Sequence, residues 1–112
     1  MALERGKLSN VVQVSAASTV GIVTVASSKK VYVKSIMGHV PGQIGGSGQV
    51  YIVPNGGSAG RANKIFEADI NAGETVLFEP SYPIVLDTTG ESLRVGDGTT
   101  FVNFIISGDK ES

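Results

Sequence analysis

Cysteine and tryptophan are absent from this sequence, and His39 is its single histidine. Without cysteine, the chain can form neither a disulfide nor a thiolate metal site. One histidine cannot build a multi-histidine metal centre, and no partnered nucleophile accompanies it as a catalytic triad requires. We interpret His39 as a loop residue beside Gly38. These absences favour a protein that is not an enzyme and requires no cofactor.

The sequence also lacks an excess of charge of one sign, with 9 Lys and Arg against 10 Asp and Glu and a net charge of -1. Nucleic-acid binding needs clustered cations that neutralise phosphates, so we expect no nucleic-acid partner. No apolar run approaches the roughly 20 residues that cross a bilayer. The charged start, MALERGKLSN, is not followed by the apolar core of a secretory signal. We therefore expect synthesis in the cytoplasm and no membrane partner.

Short segments rich in Val, Ile and Thr recur along the chain, and these residue types favour strands. The alternation is clearest in IFEADI, where Phe66, Ala68 and Ile70 share one face and the two acids share the other. Turn residues separate many of the segments, as in NAG and TTG. Strands are predicted at residues 10–14, 20–26, 29–37, 49–53, 64–70, 74–79, 83–87, 91–95 and 100–107.

This pattern of short strands and turns predicts an all-β chain, a single-domain antiparallel β-sandwich of the jelly-roll type. The sandwich is expected to span residues 10–112, and residues 1–9 to form an N-terminal arm. The arm, MALERGKLS, has too few apolar residues to fold alone, so we expect a partner to order it. The phenylalanines are assigned to the core. The predicted core comprises Val31, Val33, Ile52, Phe66, Ile70, Leu77, Leu86, Leu93 and Phe104.

The 15 glycines are about twice the usual share, and many lie in the connections between strands. The segment GQIGGSGQV lacks the lysine and the following helix of a phosphate-binding loop. PNGGSAGR, residues 54–61, is interpreted as a surface connection of the sandwich. Asp87 and Asp97 fit turns better than the spacing of an EF-hand. A calcium ion gathered from several loops remains an alternative.

Three stretches resemble the small all-β virion proteins of tailed bacteriophages, of the head decoration (cement) type. They are KKVYVKSIMGH, VYIVPNGGSAGRANKIFEADINAGETVLFE and YPIVLDTTGESLRVGDGTTFVNFIIS, which cover most of residues 29–107. The resemblance implies a homotrimer on the outer surface of a virion capsid. There it would bind the major capsid protein and stabilise contacts between its subunits. It has no signature position from which a residue's role could be transferred.

The arm and the 54–61 connection are the expected partner-contact segments. Their contact residues are Leu3, Arg5, Lys7, Leu8, Asn55 and Arg61. The alternative function is a tail or fibre accessory module that binds a host-surface glycan. Such a module would need exposed aromatic side chains, and Tyr51 and Tyr82 are the candidates.

Overall fold

The structure, a computed structural model, describes residues 3–15, 18–42, 44–97 and 101–111. Within these ranges the only helix is a single 3-10 turn, Arg61–Asn63, so none is long and apolar enough to cross a membrane. The strands are β1 (Leu3–Lys7), β2 (Val12–Val14), β3 (Ser18–Thr24), β4 (Val31–His39), β5 (Gly46–Val53), β6 (Lys64–Ile70), β7 (Thr75–Phe78), β8 (Ile84–Leu86), β9 (Ser92–Asp97) and β10 (Val102–Glu111).

The strands form two antiparallel sheets. In sheet A, β10 and β4 are central, β1 and β2 follow one another along one edge, and β7 and β8 lie along the other. Sheet B has the order β3-β9-β5-β6. β7 and β8 can be counted as one interrupted edge strand, and β1 as an addition to the sandwich. The strand order of the two sheets is then that of an eight-stranded jelly roll. The predicted fold class is confirmed.

The core lies between the two sheets, where the inward residues of both are buried. Six of the predicted core residues are buried there, and Ile52 and Phe66 are partly buried and pack against them. The buried six are Val31, Val33, Ile70, Leu86, Leu93 and Phe104.

Leu77 was predicted in the core, but its side chain is 50% exposed. In β7 the neighbours Val76 and Phe78 pack against the core, and the Phe78 ring stacks on Phe66 with 4.7 Å between centroids. Because side chains alternate along a strand, Leu77 must then face outward. The sequence TVLF is apolar on both faces, so its pattern did not indicate the buried side.

Phe104 is one of the largest fully buried side chains, and two glycines make room for its ring. A Cβ added to Gly38 on β4 would lie 3.3 Å from the ring, and one added to Gly48 on β5 would lie 3.5 Å away. These glycines lie on strands of different sheets. The ring therefore fills space that both sheets leave open.

The predicted N-terminal arm contributes a strand to sheet A, which differs from the expectation that it is unstructured without a partner. Leu3–Lys7 pairs with residues 107–111 of β10, and the Leu8 amide donates to the Ile106 carbonyl at 2.8 Å. Backbone hydrogen bonds to an open sheet edge can hold a strand of low apolar content. Met1 and Ala2 lie outside the described residues.

Candidate interaction surface

The outer face of sheet A carries an apolar row that crosses three strands. Ile105 of β10 pairs with Met37 of β4, which in turn pairs with Leu77 of β7. Met37 is 39% exposed, Leu77 is half exposed, and the exposed Val11 lines a shallow depression together with Met37 and Ile105. We call Ile105, Met37 and Leu77 the outer apolar row. Met37 and Leu77 are exposed and Ile105 is partly exposed, and contiguous apolar side chains that are open to solvent mark interaction surfaces.

A neutral polar row lies on one side of the outer apolar row. Gln13 Nε2 donates to Asn103 Oδ1 at 3.0 Å, and His39 Nδ1 lies 2.9 Å from Thr75 Oγ1. Asn103 and His39 are themselves paired across β10 and β4. His39 is the last residue of β4, so the prediction that it is a loop residue is wrong. It has a structural hydrogen bond within the row.

A cluster of charges lies at the other end of the same face. Lys34 Nζ is 2.7 Å from Asp109 Oδ2, and Arg5 Nε is 3.2 Å from Asp109 Oδ1. The hydrogen bond from Lys34, followed by the one from Arg5, holds the pKa of the Asp109 carboxyl below its ordinary value. The cluster links β1, β10 and β4. The sequence did not indicate this cluster, because its residues are far apart in the chain. Asp109 also follows an apolar segment, where an aspartate is typical of a turn.

The predicted contact residues fall into two groups. Leu3, Arg5, Lys7 and Leu8 lie on or directly after β1, where Arg5 is ion-paired and Lys7 is exposed. Leu8 is partly buried and packs against the core, so its side chain stabilises the sandwich.

Asn55 and Arg61 are exposed and lie between β5 and β6. Asn55 is close to Gly90, where an added Cβ would overlap its side chain. The 54–61 segment is thus a surface connection, as predicted. It is not part of the outer face of sheet A.

The two candidate glycan platforms have opposite environments. Tyr51 is buried, its hydroxyl donates to Gln49 Oε1 at 2.6 Å, and Lys64 Nζ lies 5.8 Å from its ring centroid. The prediction that Tyr51 is an exposed platform for a glycan is therefore wrong. Tyr82 is 85% exposed. Phe101, which we had assigned to the core, is also exposed: it directly precedes β10, and it is the next residue, Val102, that is buried in the core.

The described part of the chain has no cation site built from side chains. No group of three or more His, Cys, Asp or Glu side chains is close enough there to hold a metal ion. Asp109, the one buried acidic residue among the side chains that the structure describes, is ion-paired with Lys34 and Arg5.

No protein-family model and no curated protein matches this chain. A chain in the solved structure of infectious bursal disease virus, Gx strain, is similar over 97% of this chain, with a TM-score of 0.53 and 12% identity. A chain in the solved structure of the Gt strain of the same virus is similar over 97% of this chain, with a TM-score of 0.43 and 9% identity. This chain spans only 31% and 32% of their lengths. At 12% identity, the similarity to the Gx chain shows the fold alone.

Proposed function

We propose that the protein is a non-enzymatic virion protein of the capsid decoration type. It binds the outer capsid surface and stabilises contacts between major capsid subunits. The observation that carries this proposal is a jelly-roll sandwich whose outer sheet face has an uncovered apolar row. The sequence resemblance to decoration proteins of tailed bacteriophages supports the same class. The fold similarity to a chain from a virus structure is additional support.

Binding of this kind needs no active site. An exposed sheet face supplies side-chain contacts. Among the described strands β1 is the last of sheet A on its side, and its outer edge can add backbone hydrogen bonds to a partner strand. Many copies on a symmetric lattice gain avidity even where each contact is modest. The protein would therefore act as a homotrimeric clamp whose contacts include the β1 segment and the exposed Asn55 and Arg61.

Sedimentation with capsids tests the proposal. Capsids from a deletion mutant of the virus that encodes this chain are mixed with the purified protein and pelleted. We expect saturable co-sedimentation and, by cryo-electron microscopy, added density on the outer surface between capsid subunits. Density confined to the tail, or no binding to either structure, would contradict the capsid role.

The glycan-binding alternative retains one favourable observation, the exposed Tyr82 ring. The burial of Tyr51 removes the second platform that this function would use. Binding to a glycan array, together with localisation at the tail, would favour this alternative over capsid decoration.

A further inference from the structure

We propose that the outer face of sheet A is the docking face, and that its partner is a protein surface with an apolar strip bordered by carboxylates. The inference rests on the proposed function, in which that partner is the capsid. Side chains on this face are ordered from neutral polar through apolar to cationic.

The apolar part of the face is well placed to be the centre of an interface. The outer apolar row crosses three adjacent strands, so its residues lie about 5 Å apart and form a strip roughly 10 Å long. Interface centres are depleted of charge, and their apolar side chains are covered on binding. Met37 also adds a flexible side chain that adapts to varied partner shapes.

The neutral polar row limits the contact on one side. Gln13 bonds Asn103, and His39 bonds Thr75, so these side chains already have partners within the face. They carry no strong charge to attract an ion from a partner. This side fits the polar, solvent-accessible rim of an interface.

The opposite side presents cations to a partner. Lys7 pairs with Ser107 in the row next to the outer apolar row, and no ion pair of Lys7 occurs within the described residues. In the cluster beyond it, the Asp109 side chain is 7% exposed, whereas Arg5 is 82% and Lys34 is 44% exposed. The carboxylate is therefore hidden behind the cations that surround it.

Charge complementarity then specifies the partner. The chain as a whole has a net charge of -1, yet this side of the face exposes Arg5, Lys7 and Lys34, and Lys30 lies opposite the partly buried Glu111. Glu79, directly after β7, is the exposed acid nearest to this side, so the cations outnumber the exposed acids. A partner with carboxylates beside an apolar strip would meet both features at once. A second copy would present the same cations, which makes it the less favourable occupant.

The first experiment measures capsid binding of matched variants. Met37→Glu should weaken binding at least about tenfold by placing a charge in the interface centre. Ile65→Glu, on a comparably exposed apolar residue of β6, is its control and should bind as the wild type does. Lys7→Glu should weaken binding several-fold and reduce its salt dependence, whereas Lys64→Glu, the same charge reversal on β6 of sheet B, should not. Equal affinities of Met37→Glu and the wild type for capsids would overturn the proposal that this face docks on the partner.

A second experiment separates this inference from the proposed function. A soluble peptide in which Leu and Glu alternate is titrated into the isotope-labelled protein and followed by NMR, with a Leu-Lys peptide as control. We expect shifts centred on Met37, Ile105 and Leu77, and weaker shifts with the control. If wild-type protein does not bind capsids, the proposed function fails, while the peptide map still decides the docking face. Equal shifts with both peptides, or shifts centred on sheet B, would overturn it.

Folding of the variants is checked by circular dichroism and thermal melting. If Met37→Glu unfolds, Leu77→Ser takes its place, because Leu77 lies in the same row and is more exposed. Self-association of the wild type that Met37→Glu abolishes would show a second copy to be the occupant and would overturn the acidic partner.

Discussion

Phe104 fills the space between the two sheets, and its replacement tests the packing at the residue scale. Phe104→Ala removes a ring that is 1% exposed and leaves a cavity that Gly38 and Gly48 cannot fill. We expect a loss of about 3–5 kcal/mol in the free energy of unfolding, measured by chemical denaturation. An unchanged denaturation midpoint would contradict the position of Phe104 in the core.

Gly108 lies at an irregularity where β10 shifts register against β4. A Cβ at this position would overlap the Tyr32 carbonyl oxygen and approach the Lys34 amide nitrogen at 3.1 Å, so the backbone would have to move. We expect Gly108→Ala to destabilise the fold by about 1–3 kcal/mol. The control Gly60→Ala has open space around its Cβ and an extended backbone, and it should melt as the wild type does. Equal melting of the two variants would contradict this close approach.

Asp109 makes a contribution to stability that depends on pH. Its pKa is lowered in the folded state by Lys34 and then Arg5, so the folded state binds its proton less readily than the unfolded state does. This contribution is present above the ordinary carboxyl pKa of about 4 and is lost as the pH falls through the lower folded value.

The variant Asp109→Asn lacks that titration. We expect it to melt at a lower temperature than the wild type near neutral pH, with the difference shrinking as the solution is acidified below about pH 4. Thermal melts across an acid series measure this. A difference that stays constant with pH would show that the ion pairs contribute nothing to the acid dependence.

At the scale of elements, β1 is the strand that the jelly roll does not need. Deleting residues 2–7 should preserve the two-sheet sandwich but lower the melting temperature. The loss includes the β1–β10 pairing and the Arg5–Asp109 ion pair, and each kcal/mol corresponds to about 4 °C in a domain near this size. Circular dichroism and thermal melting measure the effect. A melting temperature equal to that of the full chain would restore the expectation of an unstructured arm.

The same deletion exposes the edge of β10. Open edges pair with other chains, so the truncated protein should also elute earlier or aggregate in size-exclusion chromatography. The full chain at the same concentration is the control. Unchanged elution would indicate that the exposed edge is too short to recruit a partner strand.

Strands with clear alternation were predictable from the sequence, and those without it were not. KIFEADI forms β6 with Phe66, Ala68 and Ile70 turned inward, as predicted. β1 was missed because its sequence, LERGK, is mostly charged and is held by the backbone of β10. Residues 108–111, the charged end of β10, were not predicted as strand for a similar reason. Local pattern carries no information about which distant strand will offer a free edge.

Of the residues on the candidate interaction surface, the sequence indicated only some. Arg5 and Lys7 were expected contacts from the composition of the N-terminal segment, and the structure places them on the edge of sheet A. The outer apolar row was not expected, because Ile105, Met37 and Leu77 come from three separate segments. Only the register of β10, β4 and β7 brings them together.

At the scale of the whole molecule, the oligomeric state is the property to test. The resemblance to decoration proteins implies a homotrimer, which for this 11.6 kDa chain has a mass of about 35 kDa. We expect light scattering coupled to size-exclusion chromatography to give that mass at capsid-binding concentrations. A stable monomer at those concentrations would contradict the trimer and leave capsid binding to single copies.

The pairing of β1 with β10 has a consequence for the timing of folding. Arg5 and Asp109 are separated by 104 positions, which a ribosome takes roughly 5–20 s to translate. During that interval the first strand emerges without the neighbour whose edge it will occupy. An apolar segment could pair with the wrong strand during this interval. Charged side chains on β1 reduce such pairing until β10 has been synthesised. The composition of LERGK thus suits a strand that is translated long before the strand it pairs with.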